Sequence, residues 1–317
     1  MNPPKSHIPV LLRESLAMLE PMAGGRYLDG TIGLGGHARA ILEAAPRSCL
    51  CGLDRDPEAL RIAGEALAGF GERVHLFRMP FSRFEDALDT LGWKSVDGAI
   101  LDIGVSSLQL DSPERGFSFM SDARLDMRMD CDNGMLSAWD IVNRADFESL
   151  RNCLATLGEE PQAGRIARQI ICARQKKPID TTGELCGIVM RAYPASWRKC
   201  ARKHPATRTF QALRMLVNGE LAELKLFLQR IPDRLSAGGR LVIISFHSLE
   251  DRIVKKAMRS LAAGTACLQR DGEAAVDHQS KFRILTKKPL TAIADELYAN
   301  PRSTSAKLRA MEKIAED

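Results

Sequence analysis

Four short apolar segments in the first third of the chain each run to a polar stop, and helix-like stretches separate them. Arg26-Tyr27-Leu28-Asp29, residues 50–54, residues 74–77 and residues 96–102 read as strands, and three of them end in an acid, at Asp29, Asp54 and Asp102. Between them the spacing predicts helices over 37–45, over 57–67 with Pro57 in the first turn, and over 82–91. Strands separated by helices pair in parallel, because only a long crossover returns the chain to the same edge direction. The expectation is therefore a doubly wound α/β sheet. The rhythm then stops. Residues 111–214 contain no convincing buried strand, only helical patterns such as 161–174 and 182–192, and an amphipathic run over 206–229 leads back to a strand at 240–246. One sheet with a helical module inserted between its fourth and fifth strands fits this order: a first part over 1–110, an insertion over 111–214, and a second part over 215–317. Two sequential domains would leave the strand at 240–246 without a partner.

Composition narrows the setting. No stretch approaches the roughly 20 apolar residues that span a bilayer, and residues 1–7 lack the apolar run of a secretory signal. A cytoplasmic protein with no membrane contact is expected. The eight cysteines (Cys49, Cys51, Cys131, Cys153, Cys172, Cys186, Cys200, Cys267) include no CxxC pair, so no metal site is expected and reduced thiols are. Charge is unevenly spread: residues 161–214 hold 12 Lys and Arg against two acids, Asp180 and Glu184, in a chain whose whole net charge is +5. Arg198, Lys199, Arg202, Lys203 and Arg208 are the densest part. Such a concentration points to an anionic partner, phosphate backbones first; a solvated helical surface is the competing reading.

Ligands of open α/β sheets bind outside the carboxyl ends of the strands. The first strand runs into Gly30-Thr31-Ile32-Gly33-Leu34-Gly35-Gly36, where glycines permit turn conformations and close backbone approach. Asp54, 19 residues after Gly35, is placed to accept from ribose hydroxyls, and Phe81 to cover an adenine. Asp102-Ile103-Gly104-Val105-Ser106-Ser107 faces the group to be transferred. Two ligands remain open on this pattern. Gly33-Leu34-Gly35-Gly36-His37-Ala38 satisfies the G-x-G-x-x-A dinucleotide pattern of a nicotinamide enzyme. Asp29 at the mouth of the loop instead suits a ligand carrying a sulfonium and an α-ammonium, as a methyl donor does.

Longer blocks carry a resemblance. Residues 29–37 resemble the cofactor loop of the RsmH (MraW) family, and residues 7–12, Gly104 to Asp111, Glu114-Arg115-Gly116-Phe117-Ser118-Phe119, Leu125-Asp126-Met127-Arg128-Met129-Asp130, 204–213 and 245–252 are similar to its other motifs. Leu108, Ala38 and Gly219 depart from it, standing where the family usually has proline, serine, and Asn or Asp. The resemblance implies a Rossmann-like S-adenosylmethionine-dependent methyltransferase fold with an inserted helical domain. It also implies S-adenosylmethionine as cofactor and methylation of a cytidine N4 amine in 16S rRNA, within the small ribosomal subunit. The matching cofactor contacts are Gly35, Gly36, His37, Asp54, Phe81, Asp102 and Gln109.

An exocyclic amine is a poor nucleophile because its lone pair is delocalised into the ring, so an acceptor for its hydrogens and accurate positioning carry the catalysis. Asp102 is the candidate acceptor, or else holds only the cofactor. Ser106 and His247 are the other catalytic candidates: Ser106, with Ser107, orients the base or caps a turn, and His247 lines the base pocket beside Ser248, which with Asp251 could start a helix. Carbon-5 methylation of cytosine is set aside, since it needs a cysteine nucleophile that typically follows proline and the chain has no Pro-Cys pair. Phe117 or Phe119 is expected to stack on a flipped base or to anchor a loop. A nicotinamide oxidoreductase and a non-catalytic ribosome-associated factor are the rival functions.

Overall fold

The computed structural model describes residues 9–131, 134–194, 196–197, 204–264 and 280–314. Seven strands make one sheet: β1 (Arg26–Asp29), β2 (Cys49–Asp54), β3 (Val74–Arg78), β4 (Val96–Asp102), β5 (Leu235–Ser245), β6 (Phe282–Ile284) and β7 (Lys307–Lys313), in the order β3-β2-β1-β4-β5-β7-β6. The first five are parallel, while β7 runs antiparallel to β5 and to β6. This is the doubly wound α/β sheet expected from the strand–helix rhythm, and the Rossmann-like fold that the resemblance implies. Strand order reverses around β1, which lies between β2 and β4, and that reversal opens a crevice at the carboxyl ends.

Successive strand residues serve opposite faces. Leu28, Cys51, Leu53, Ala99, Leu101 and Ile243 pack with Leu224, Phe227 and Ile231 of the helix Glu220–Arg234. Tyr27, Leu50, Ile100, Val242 and Ile244 pack on the other side with Leu19, Ile41, Leu42 and Leu67. A sheet covered on both faces makes its strands near-continuous apolar runs, which is why the first five were legible. β6 and β7 were not expected. Lys307-Leu308-Arg309-Ala310-Met311-Glu312-Lys313 reads as a charged segment, yet Leu308, Arg309, Ala310 and Met311 are buried. The long polar chains find partners: Arg309 Nε donates to Asp251 Oδ1 at 2.6 Å, and Lys313 Nζ to the carbonyls of Pro232 and Leu235 at 3.0 and 2.8 Å.

The chain divides into two compact units, Met1–Gly104 with Ala222–Asp317, and Val105–Leu221. In the second, the helices Ala138–Arg144, Phe147–Leu157, Ala163–Arg174, Thr182–Ala192 and Ala206–Asn218 enclose Leu150, Leu154, Ile166, Ile170, Leu185, Val189, Phe210 and Leu213. The amphipathic run over 206–229 breaks at Gly219, whose φ of 62° ends one helix before the next begins at Glu220. Glycine and asparagine or aspartate are the residues that tolerate this left-handed conformation, so the departure at Gly219 preserves the turn. The 114–130 motifs are internal scaffolding of this unit. Arg115 Nη2 donates to the Met129 carbonyl at 2.8 Å, and Asn218 accepts from Met129 N at 2.9 Å and donates to Met127 O at 2.8 Å. Phe117, Leu125, Met127 and Met129 are buried there. Phe117 is thus a loop anchor and offers no face to a base.

Candidate active site

The acids predicted at the strand ends converge in the first unit. β1 ends in Asp29, whose Oδ1 accepts from Thr31 N at 3.1 Å and so turns the chain into the glycine loop. Thr31 Oγ1 in turn accepts from Asp102 N at 2.7 Å, which ties the loop to the end of β4. Asp54, closing β2, accepts from Gly33 N at 3.1 Å through Oδ2 and from Asp56 N at 2.9 Å through Oδ1. Gly33 and Gly35 take φ of 51° and 83°, a conformation costly to residues with a Cβ, and Gly35 caps the helix Gly36–Ala44. A Cβ on Gly36 would collide with the Pro9 ring.

Burial outweighs the local stabilisation of these charges, the neighbouring Arg55 beside Asp54 included. Burial pushes Asp29 up to about 7, with the Thr31 N–H pulling back and the Asp54 charge adding to the rise. Burial likewise raises Asp54 to about 6 against the pull of the Asp56 and Gly33 N–H groups. Asp102 reaches about 8, through burial first and then the charges of Asp29 and Glu250, and no N–H offsets it. Its Oδ1 is buried and accepts no hydrogen bond among the described residues. A buried acceptor left open is costly, and three carboxylates at one crevice favour a cation. A sulfonium with an α-ammonium fits this chemistry; a pyrophosphate, the anionic part of a dinucleotide, does not.

The other predicted residues are placed as follows. Buried His37 donates from Nε2 to Val10 O at 3.0 Å, at the start of the helix after the loop. Phe81 is half-buried and meets Phe227 edge-on at 5.8 Å between centroids. Ser106 and Gln109, in the second unit, form a capping box on the helix Ser107–Asp111: Gln109 N donates to Ser106 Oγ at 3.3 Å, and Ser106 N to Gln109 Oε1 at 3.1 Å. Of the two roles weighed for Ser106, capping is the one this geometry supports. His247, rather than Ser248, caps the helix Ser248–Ala262, with Glu250 and not Asp251 as its capping-box partner. Its Nδ1 accepts from Glu250 N at 3.3 Å and its Nε2 lies 2.8 Å from Glu250 Oε1. Both ring nitrogens thus face Glu250. Arg208 is exposed. Arg198, Lys199, Arg202 and Lys203 lie outside the described residues.

Thr31, Glu250 and Glu296 were missed. Glu250 is buried and accepts from Phe246 N at 2.9 Å at the end of β5, and its charge reaches Asp102. Its signal was present three residues after His247, but histidine is an uncommon cap. Glu296 Oε1 accepts from Leu11 N at 2.7 Å across 285 positions of sequence, a contact no local pattern can announce. Cys51 and Cys153 are buried, and burial pushes each thiol up to about 12, which disfavours the thiolate at these two positions. Among the described residues no three or more His, Cys, Asp or Glu side chains are arranged so that they could hold a metal ion.

A sequence model of the MraW methylase family matches residues 4–314. The chain belongs to the MraW methylase family. Two relatives show how near it stands to other members. The Ribosomal RNA small subunit methyltransferase H of Desulfovibrio desulfuricans is 62% identical over 314 residues, spanning 99% of this chain and 96% of its own. The protein of the same name from Nitratidesulfovibrio vulgaris is 60% identical over 310 residues, covering 98% and 96%. Among solved structures, an rRNA methylase from Streptococcus thermophilus matches at 14% identity and a TM-score of 0.43, covering 98% of this methylase and 100% of its own chain, a likeness too distant to carry an argument. Membership removes the nicotinamide oxidoreductase from the readings left open above.

Proposed function

We propose that this MraW-family methylase transfers a methyl group from S-adenosylmethionine to the N4 amine of a cytidine in 16S rRNA of the small ribosomal subunit, in the cytoplasm. The relatives' names support the small-subunit rRNA substrate. The observation that carries the chemistry is the open, buried Oδ1 of Asp102 at the end of β4, close enough to Asp29 and Glu250 to be raised by their charges.

S-adenosylmethionine, when bound, supplies a methyl group activated by a sulfonium. Asp54 would hold its ribose hydroxyls, Phe81 would cover its adenine, and the turns at Gly33 and Gly35 let the backbone come close. His37 acts at one remove, holding the 9–11 segment against the loop through Val10. When the cytidine amine takes the methyl group it must shed a proton, and Asp102 Oδ1 is the acceptor with no competing donor. A carboxylate held near neutral range is matched to that task, because an acceptor works best when its own pKa lies near the working pH. Gln109 and Ser106 shape the backbone after β4. The basic residues Arg198, Lys199, Arg202, Lys203 and Arg208 would position RNA phosphates without reading sequence.

Mass spectrometry of 16S rRNA nucleosides from cells with and without the gene tests the reading. Loss of N4-methylcytidine, restored by the wild-type gene and not by Asp102→Asn, is the expected result. Unchanged nucleosides would overturn it.

A further inference from the structure

The inserted unit carries an aromatic ladder that climbs from its core to its surface. Phe210 is buried within the core. Phe119 meets it edge-on, with centroids 5.1 Å apart and planes at 72°. Phe119 then stacks on His204, at 4.7 Å and 24°. Exposure rises along the series, from buried Phe210 through half-buried Phe119 to exposed His204. The last ring is also fixed in orientation: Ala206 N donates to His204 Nδ1 at 3.2 Å, so that nitrogen is an acceptor and the neutral ring carries its hydrogen on Nε2. One face of the imidazole is covered by Phe119, and the ring as a whole remains exposed. Met120, next to Phe119 in the chain, is 84% exposed and adds apolar surface.

The surroundings favour an anion that carries flat rings. The helix Ala206–Asn218 has no acid in its first turn, which includes exposed Arg208, and its positive end lies at His204. Residues 161–214 carry 12 basic residues and two acidic ones. A rigid, half-covered ring beside cationic charge is the arrangement by which proteins take single-stranded nucleic acid, stacking a base while charge holds the backbone. We propose that His204, backed by Phe119, is a stacking platform for an unpaired base of the RNA substrate. This rests on the rRNA reading above and adds to it a base-binding residue within the inserted unit.

The test measures binding of a fluorescein-labelled single-stranded RNA, and of the same strand with one abasic position moved along it, as a function of salt. His204→Ala should weaken the intact RNA by about thirtyfold, the middle of the range for one stacked base, and leave the salt slope unchanged. His204→Phe should restore binding, since a ring and not a proton is what the base meets. One abasic position should weaken wild type equally and add no further loss to His204→Ala. Arg208→Ala, by contrast, should lower the log–log salt slope by about 0.7. Equal losses in His204→Ala and His204→Phe would mean a polar contact through Nε2, and the platform is then wrong. Wild-type affinity in His204→Ala, or no RNA binding by wild type, also overturns it. Wild type that binds RNA through His204 but leaves 16S rRNA unmethylated would sink the functional reading while the platform stands.

Discussion

Asp102→Asn separates a carboxylate that must ionise from one that merely fills space. In the ligand-free protein Asp102 is held up to about 8, so at neutral pH it keeps its proton. A sulfonium beside it favours the carboxylate, and binding S-adenosylmethionine must then expel that proton. Below about pH 8 each unit of acidity therefore costs tenfold in affinity, or about 1.4 kcal/mol. From pH 8, where half the protein already carries this proton, to pH 6 the loss through this one group is about 2.3 kcal/mol, roughly fiftyfold. Asparagine has no proton to lose. The ratio of wild-type to variant affinity should accordingly be small at pH 6 and widen by about tenfold per unit toward pH 8. Asp29 and Asp54 titrate in the same crevice, so the difference in slope, one proton, identifies Asp102 better than any midpoint does. Calorimetry in two buffers of different ionisation enthalpy counts the proton directly, and S-adenosylhomocysteine, which lacks the sulfonium charge, should release less. Without ligand the sign is opposite. Asp102 is protonated in the fold above the pH at which the unfolded chain ionises, so its contribution to stability falls as pH rises toward 8, and Asp102→Asn should raise Tm more at pH 8 than at pH 5. Parallel affinity curves for wild type and variant across this range would refute the reasoning.

Asp54→Ala should weaken S-adenosylmethionine by roughly 1.5–3 kcal/mol, the range for hydrogen bonds to a charged group, with the fold intact; unchanged affinity by calorimetric titration removes the ribose role. Glu296→Ala strands the N–H of Leu11, a residue already at φ 51°, and should lower folding stability and cofactor affinity together, each by about 1 kcal/mol. Glu296→Gln, which keeps the accepting oxygen, should restore both in thermal melts and titrations; if it does not, the hydrogen bond is not what secures residues 9–11. Neutralising Arg198, Lys199, Arg202 and Lys203 together should leave S-adenosylmethionine affinity intact and flatten the salt dependence of RNA binding by about 0.7 per lost contact. A salt slope equal to wild type would assign those charges to a solvated surface.

What the sequence by itself determined was whatever repeats locally. β1 and β4 were readable to the residue because strands buried on both faces are unbroken apolar runs with polar ends, and the same ends put Asp29, Asp54 and Asp102 at the crevice. The helices Pro57–Leu67 and Thr182–Ala192 were readable from caps and period. β7 was not, because its lysines and arginine look solvated until Asp251 and the carbonyls of Pro232 and Leu235 are brought to them from other elements. The break at Gly219 was hidden for a related reason: hydrophobic period continues across it, and only the backbone conformation marks the turn.

The tertiary structure alone decided the electrostatics and the division of labour. Sequence can put three acids at strand ends, but their rise toward neutral range depends on how completely the fold excludes water and on which N–H groups it aims at each. Among the described residues it supplied two for Asp54, one for Asp29 and none for Asp102, and so left Asp102 Oδ1 open. His37, Ser106 and His247 are polar residues beside the same motifs, yet the fold engages His37 Nε2 with Val10, Ser106 Oγ with Gln109 and His247 Nδ1 with Glu250. A side chain's chemistry is set by its type, whereas its availability is set by neighbours distant in the chain, and only the folded arrangement supplies those.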